Sequence, residues 1–193
     1  MEEQLSREKK REFILGSIYQ KQGTELLNLF KSQGISPDSH LNHMAYTALH
    51  VIASMDIPEG VQLAQVCVEC GANVDMPDEF GRTPLHFAAG TDNLALVTFL
   101  VTEAGANVDA QTKAGETPLM KAIGMGKCDI VDILLTNKAD TTISTANNDT
   151  AWTMVEASHN TAMVQMFKRY KEYLEDKEVQ SLQEGSEPKQ VLS

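Results

Sequence analysis

The sequence predicts an all-α solenoid of about five stacked helix-turn-helix units, and three observations carry that prediction. First, one motif recurs down the chain: TALHVIAS from Thr47, TPLHFAAG from Thr83, TPLMKAIG from Thr117 and TAWTMVEA from Thr150, at steps of 36, 34 and 33 residues. Second, a marker stands 12 residues ahead of each of the last three threonines: GANVD at Gly71, GANVD at Gly105 and KADTT at Lys138. Third, the stretches that follow the motif carry apolar residues at helical spacing. A unit this short cannot bury its own apolar face, so it must stack on neighbours.

Taken in chain order, the first element is a predicted helix through Phe13, Ile14, Leu15 and Ile18, followed by a second through Leu26, Leu27, Leu29 and Phe30 that stops at Gly34. This pair reads as a divergent N-terminal cap repeat over residues 1–34. Residues 35–170 form the repeat domain proper. Within it, GRTPLHFAAG shows how each first helix begins. Thr83 suits an N-cap, Pro84 suits the first turn where its missing N–H is harmless, and His86 stands three residues after the cap, where it can bond back. Leu85 is expected to face inward, while Ala88 and Ala89 keep the helix thin enough for a neighbour to approach. The second helix of this unit, Leu94 to Ala104, places Leu94, Leu96, Val97, Leu100 and Val101 on its expected inner face, and Gly105 stops it. Ahead of the motif, Asp78, Glu79, Phe80 and Gly81 spell a type I turn, the projecting finger. Residues 171–193 are a helical extension and a polar tail: Met163, Val164, Phe167, Tyr170 and Leu174 continue one stripe to about Leu182, and SLQEGSEPKQVLS follows.

The TPLHxAA and GANVD signatures together resemble the ankyrin repeat, strongly in the units of Thr83 and Thr117 and more loosely at Thr47 and Thr150. The resemblance implies a β-turn finger and two antiparallel helices per unit, with divergent units closing both ends. It further implies protein partners, bound through the finger tips and the concave inner face of the first helices.

Composition narrows the function classes. The 193 residues carry a formal net charge of −11. Residues 13–167 hold 7 basic and 17 acidic side chains, nearly all of that excess. Such a body repels phosphate, so no nucleic-acid partner is expected. Solubility is the ordinary use of acidity of this kind. No apolar run is long enough for a membrane span and the opening residues show no secretory leader, so the expected location is cytoplasmic, with the nucleus as alternative. Three cysteines fit a reducing compartment better than a disulfide framework.

Hidden chemistry is not expected. GMGKC, Gly124 to Cys128, lacks the first glycine of a phosphate loop because Lys121 stands there, and Cys128 replaces the hydroxyl that would hold magnesium. CVEC, Cys67 to Cys70, lies near His40, His43 and His50 in sequence, but a lone CxxC is a weak zinc signal, and Cys67 falls on a core position of its helix. No nucleophile stands beside an evident base. The expectation is therefore no enzyme, no cofactor and no metal.

On the repeat frame, three columns are left free by the scaffold: Met44, Phe80, Ala114, Asn147; Tyr46, Arg82, Glu116, Asp149; and Met55, Thr91, Met125, Ser158. Met44, Tyr46, Met55, Phe80 and Arg82, with Met125 at the edge, form the expected partner-binding patch, because aromatics, Met and Arg are the types enriched in interface cores. The expected function is a non-catalytic adaptor. A structural subunit of a larger complex and an inhibitory subunit of an enzyme or transcription factor are the alternatives, and the C-terminal helix is expected either to cap the stack or to dock a foreign helix.

Overall fold

The computed structural model describes residues 6–184, with side chains through residue 176. Ten helices are formed among the described residues: α1 Arg7–Tyr19, α2 Gly23–Lys31, α3 Ala48–Ser54, α4 Gly60–Glu69, α5 Pro84–Ala88, α6 Leu94–Thr102, α7 Pro118–Gly124, α8 Cys128–Thr136, α9 Ala151–Ala157 and α10 Thr161–Glu184. They pair as α1/α2 through α9/α10. First helices pack on first helices (α1, α3, α5, α7, α9), and second helices on second helices (α2, α4, α6, α8, α10), giving two layers with the core between them.

The recurrent threonine starts each first helix for one physical reason. Thr47, Thr83, Thr117 and Thr150 all have extended backbone at the N-cap. In the units of Thr47 and Thr83 a reciprocal capping box joins the threonine to His50 or His86, satisfying two amides that the helix would otherwise leave unbonded. The inner face then buries Leu49, Leu85 and Leu119 at 0–1% exposure. Each such leucine contributes roughly 1.5–3 kcal/mol relative to an exposed one. Ala88 and Ala89 are fully buried, as the thin-helix reading requires.

Second helices end in a left-handed residue. Gly71 and Gly105 have φ of 85° and 72°, and Lys138 occupies the corresponding place in the next unit at φ 65°. A side chain there costs about 1 kcal/mol. In α6 the expected inner face needs correction: Leu96, Val97 and Leu100 are buried, but Leu94 is 40% exposed, Val101 is half-buried, and Phe99 is buried instead. The segment LALVTFLVT is apolar on nearly all sides, so its periodicity does not choose a face. The helix also stops at Thr102, short of Ala104.

Three ladders of hydrogen bonds tie unit to unit. Asp38, Asp75 and Asp109 accept from the backbone amides of Asn73, Asn107 and Asp140 at 2.8–3.1 Å. His50 and His86 reach through Nε2 to the carbonyls of Arg82 and Glu116, both at 3.0 Å. The fingers are joined by their backbones, with the amides of Glu79, Lys113 and Ala146 donating to the carbonyls of Met44, Phe80 and Ala114. Gly81 (φ 80°) permits this contact, because a Cβ there would lie 2.9 Å from the Lys113 nitrogen.

The ends close as divergent caps. Ile14 and Ile18 of α1 and Leu26 of α2 are fully buried, as are Met163 and, at 2% exposure, Phe167 of α10. The α10 helix continues beyond those residues to Glu184. Most of the polar tail read from the sequence lies outside the described residues. No helix among the described residues is long and apolar enough to cross a membrane.

Candidate functional site

The finger of the second full repeat is built around Asp78. Its buried carboxylate accepts from the amides of Phe80 and Arg82 through Oδ1, both at 2.8 Å, and from the Arg82 side chain through Oδ2 at 2.7 Å. Asp78 therefore closes the turn and aims Arg82. Arg82 then donates from Nη2 to the Tyr46 hydroxyl at 2.8 Å, linking two fingers.

Three aromatic rings surround the guanidinium. Its central carbon lies 4.7 Å from the Phe87 ring centre, 4.9 Å from that of Phe80 and 5.8 Å from that of Tyr46. Phe87 meets Tyr46 edge-on at 5.1 Å and His50 edge-on at 5.4 Å, and Tyr46 stacks on His50. Contacts between a cation and an aromatic face contribute about 0.5–1 kcal/mol each at exposed sites. Arg82 is thus fixed from several sides with its charge matched by Asp78, and the surface it offers is a flat guanidinium set among rings. Phe80 stays half exposed, at 50%.

Beside this cluster runs a shallow groove lined by Ser54, Arg82, Phe87, Thr91, Lys121 and Met125, which joins the first helices of three successive units. The structure brings Tyr46 and Phe80 into contact with Arg82 and places Met125, 50% exposed, on the same groove. Met44 and Met55 stand differently. Met44 is half-buried, and its carbonyl holds the Glu79 amide. Met55, the C-cap of α3, packs against the core cluster, and Ser54 lines the groove in its place.

Phe87 and Lys121 were missed by the sequence reading. They occupy one repeat column, the position after the capping histidine, which reads Val51, Phe87, Lys121, Met154. All four residues of that column differ, whereas each adjoining column repeats one residue in two units, His50 with His86 and Ala88 with Ala122, and this is the available signal.

The other sequence candidates have structural uses. His50 and His86 are spent on the inter-unit bonds described above. Cys67 is fully buried, and that burial, with the nearby Cys70 and Asp38 adding to it, pushes its thiol pKa far up. Lys127 extends to Asp92 at 2.6 Å. Among the described residues no three His, Cys, Asp or Glu side chains gather into a group that could hold a metal ion.

A family model for ankyrin repeats (3 copies) matches residues 15–111 and 57–145. The chain is also similar, at 36% identity over 67 residues, to the ankyrin repeat and LEM domain-containing protein 1 homolog of Caenorhabditis elegans. That match covers 35% of this chain and 10% of the relative, so the likeness concerns a small part of that protein.

Proposed function

Since the chain belongs to the ankyrin-repeat family, whose repeats are generally protein–protein interaction modules, we propose that it is a non-catalytic adaptor that binds a protein partner over the finger and groove centred on Arg82. One observation carries this reading: a guanidinium whose charge is already matched is held among three rings, beside a half-exposed phenylalanine. Burying an unpaired arginine leaves an uncompensated charge, whereas the pairing with Asp78 offsets part of the cost of covering this one. Holding it in place before binding also lowers the ordering entropy of association. Phe80 and Met125 supply exposed apolar area on either side.

Partners isolated on the immobilised chain test the reading. Phe80→Ala is expected to weaken the captured partner by about 2 kcal/mol, roughly 30-fold, with the thermal midpoint nearly unchanged. Equal affinity of mutant and wild type would remove Phe80 from the site. Sizing the native complex separates an exchanging adaptor from a permanent subunit of a large assembly.

A further inference from the structure

Among the second helices α10 is the outlier, with 24 residues where α8 has 9. Its first part does the work of an end cap: Met163 and Phe167 are buried, and Val164, Met166 and Tyr170 pack at the margin of the core. The apolar stripe then continues where the stack no longer covers it. Leu174 is 41% exposed and Tyr173 51%. Leu174 and Tyr170 border two adjoining clefts, one of about 430 Å³ floored by Trp152 and Phe167, the other of about 730 Å³ floored by Leu135 and Ala139.

The charges beside the stripe select an occupant. At about 100° per residue, with Tyr170 at the centre, Arg169 and Asp176 fall on one flank and Lys171 and Glu175 on the other. On both flanks the basic residue is nearer the N-terminus and the acidic one nearer the C-terminus. If two such helices cross antiparallel about a two-fold axis near Tyr173, Arg169 of each faces Asp176 of the other, and Lys171 faces Glu175. A parallel arrangement instead sets Arg169 against Lys171 and Asp176 against Glu175, like charge against like. All four side chains are exposed, and Lys171 pairs only loosely with Glu175 within the helix, at 3.8 Å. These four charges are therefore complementary to themselves in one orientation, a condition for a two-fold interface.

We propose that the distal part of α10 is a self-association surface that pairs antiparallel with α10 of a second copy of this chain. A helix pair of this length falls below the ~1,200 Å² of standard stable interfaces. The pairing is accordingly a concentration-dependent equilibrium, weakened by salt because exposed charges are screened over about 8 Å at physiological ionic strength.

Analytical ultracentrifugation of the full chain tests this. The wild-type mass should rise with concentration from 21.2 kDa toward twice that value, and less so at high salt. Two charge-reversed variants, Arg169→Glu with Lys171→Glu and Glu175→Lys with Asp176→Lys, should each lose association by on the order of tenfold or more. Mixed in equal amounts, they should regain it as a heterodimer, which a mere folding defect would not produce. Circular dichroism checks that each variant keeps its helix content. A wild-type chain that stays at monomer mass at every concentration overturns the proposal. So does undiminished self-association of both variants, or a mixture that fails to associate.

Discussion

His50 and His86 each do two things at once: Nδ1 accepts from the amide of the capping threonine at 3.1 Å, and Nε2 faces a carbonyl of the next unit. That assignment requires the neutral ring with its proton on Nε2. Burial lowers the pKa of both, and the bond to the backbone carbonyl, which favours the cation, only partly offsets it. With the unfolded value at about 6.5, the unfolded chain takes up protons first. The contribution of the neutral rings is complete above that pH and is lost as the pH falls through it toward the folded value. Met120 stands fully buried at the matching position of the next unit, so His86→Met is a fitting comparison. Wild type should exceed His86→Met in stability by about 1 kcal/mol near pH 8, from the lost hydrogen bond, and the difference should shrink by about pH 5.5. Urea unfolding at both pH values measures it, and a difference that grows on acidification contradicts the neutral-ring assignment. Arg82 shows a further lesson of the single residue. Its place on a free column was legible in sequence, but its contacts with Tyr46 and Phe87 were not, since they lie 36 and 5 positions away along the chain.

The repeat units differ in how firmly they are joined. Units of Thr47 and Thr83 have the histidine bond to the next unit, whereas the unit of Thr117 has Met120, which can donate no such bond. The Asp149 carbonyl occupies the place of the Arg82 and Glu116 carbonyls and accepts from Thr145 in the same finger. Met120→His is therefore expected to supply the missing link, adding about 1 kcal/mol above pH 7 and raising the thermal midpoint by a few degrees. An unchanged or lowered midpoint by calorimetry would show that the pocket does not admit the ring in the required rotamer. The helix starts were legible because Thr, Pro and His act locally. The face of α6 was not, because nine residues so uniformly apolar carry no directional signal, and only the neighbouring helices α5, α4 and α8 select Phe99 over Leu94.

Across the whole molecule, stability is a sum of units and the contacts between them, so the ends matter most. The buried part of α10 ends with Phe167, while Tyr170 remains partly open. A chain ended after Tyr170 should therefore keep its fold with a midpoint close to that of the full chain. Phe167→Ala should cost about 3–5 kcal/mol, because it opens a cavity at the last interface next to Trp152. Denaturant midpoints of the two variants test this division. A truncated chain that unfolds would place the cap's anchor farther along the helix.

Local sequence was enough to determine the repeat frame: the capped helix starts and the finger turns depend on residues within one unit, and their recurrence requires the units to stack. The patch was legible only in part. Phe80, Arg82 and Met125 stand out as unrepeated residues beside a repeated frame, yet nothing along the chain shows that Met55 packs against the core cluster or that Phe87 joins the aromatic one. Those outcomes were decided by tertiary structure, since a side chain's exposure depends on what the adjacent unit leaves uncovered. For Phe87, that neighbouring surface is contributed by Tyr46 and His50, about a full repeat away.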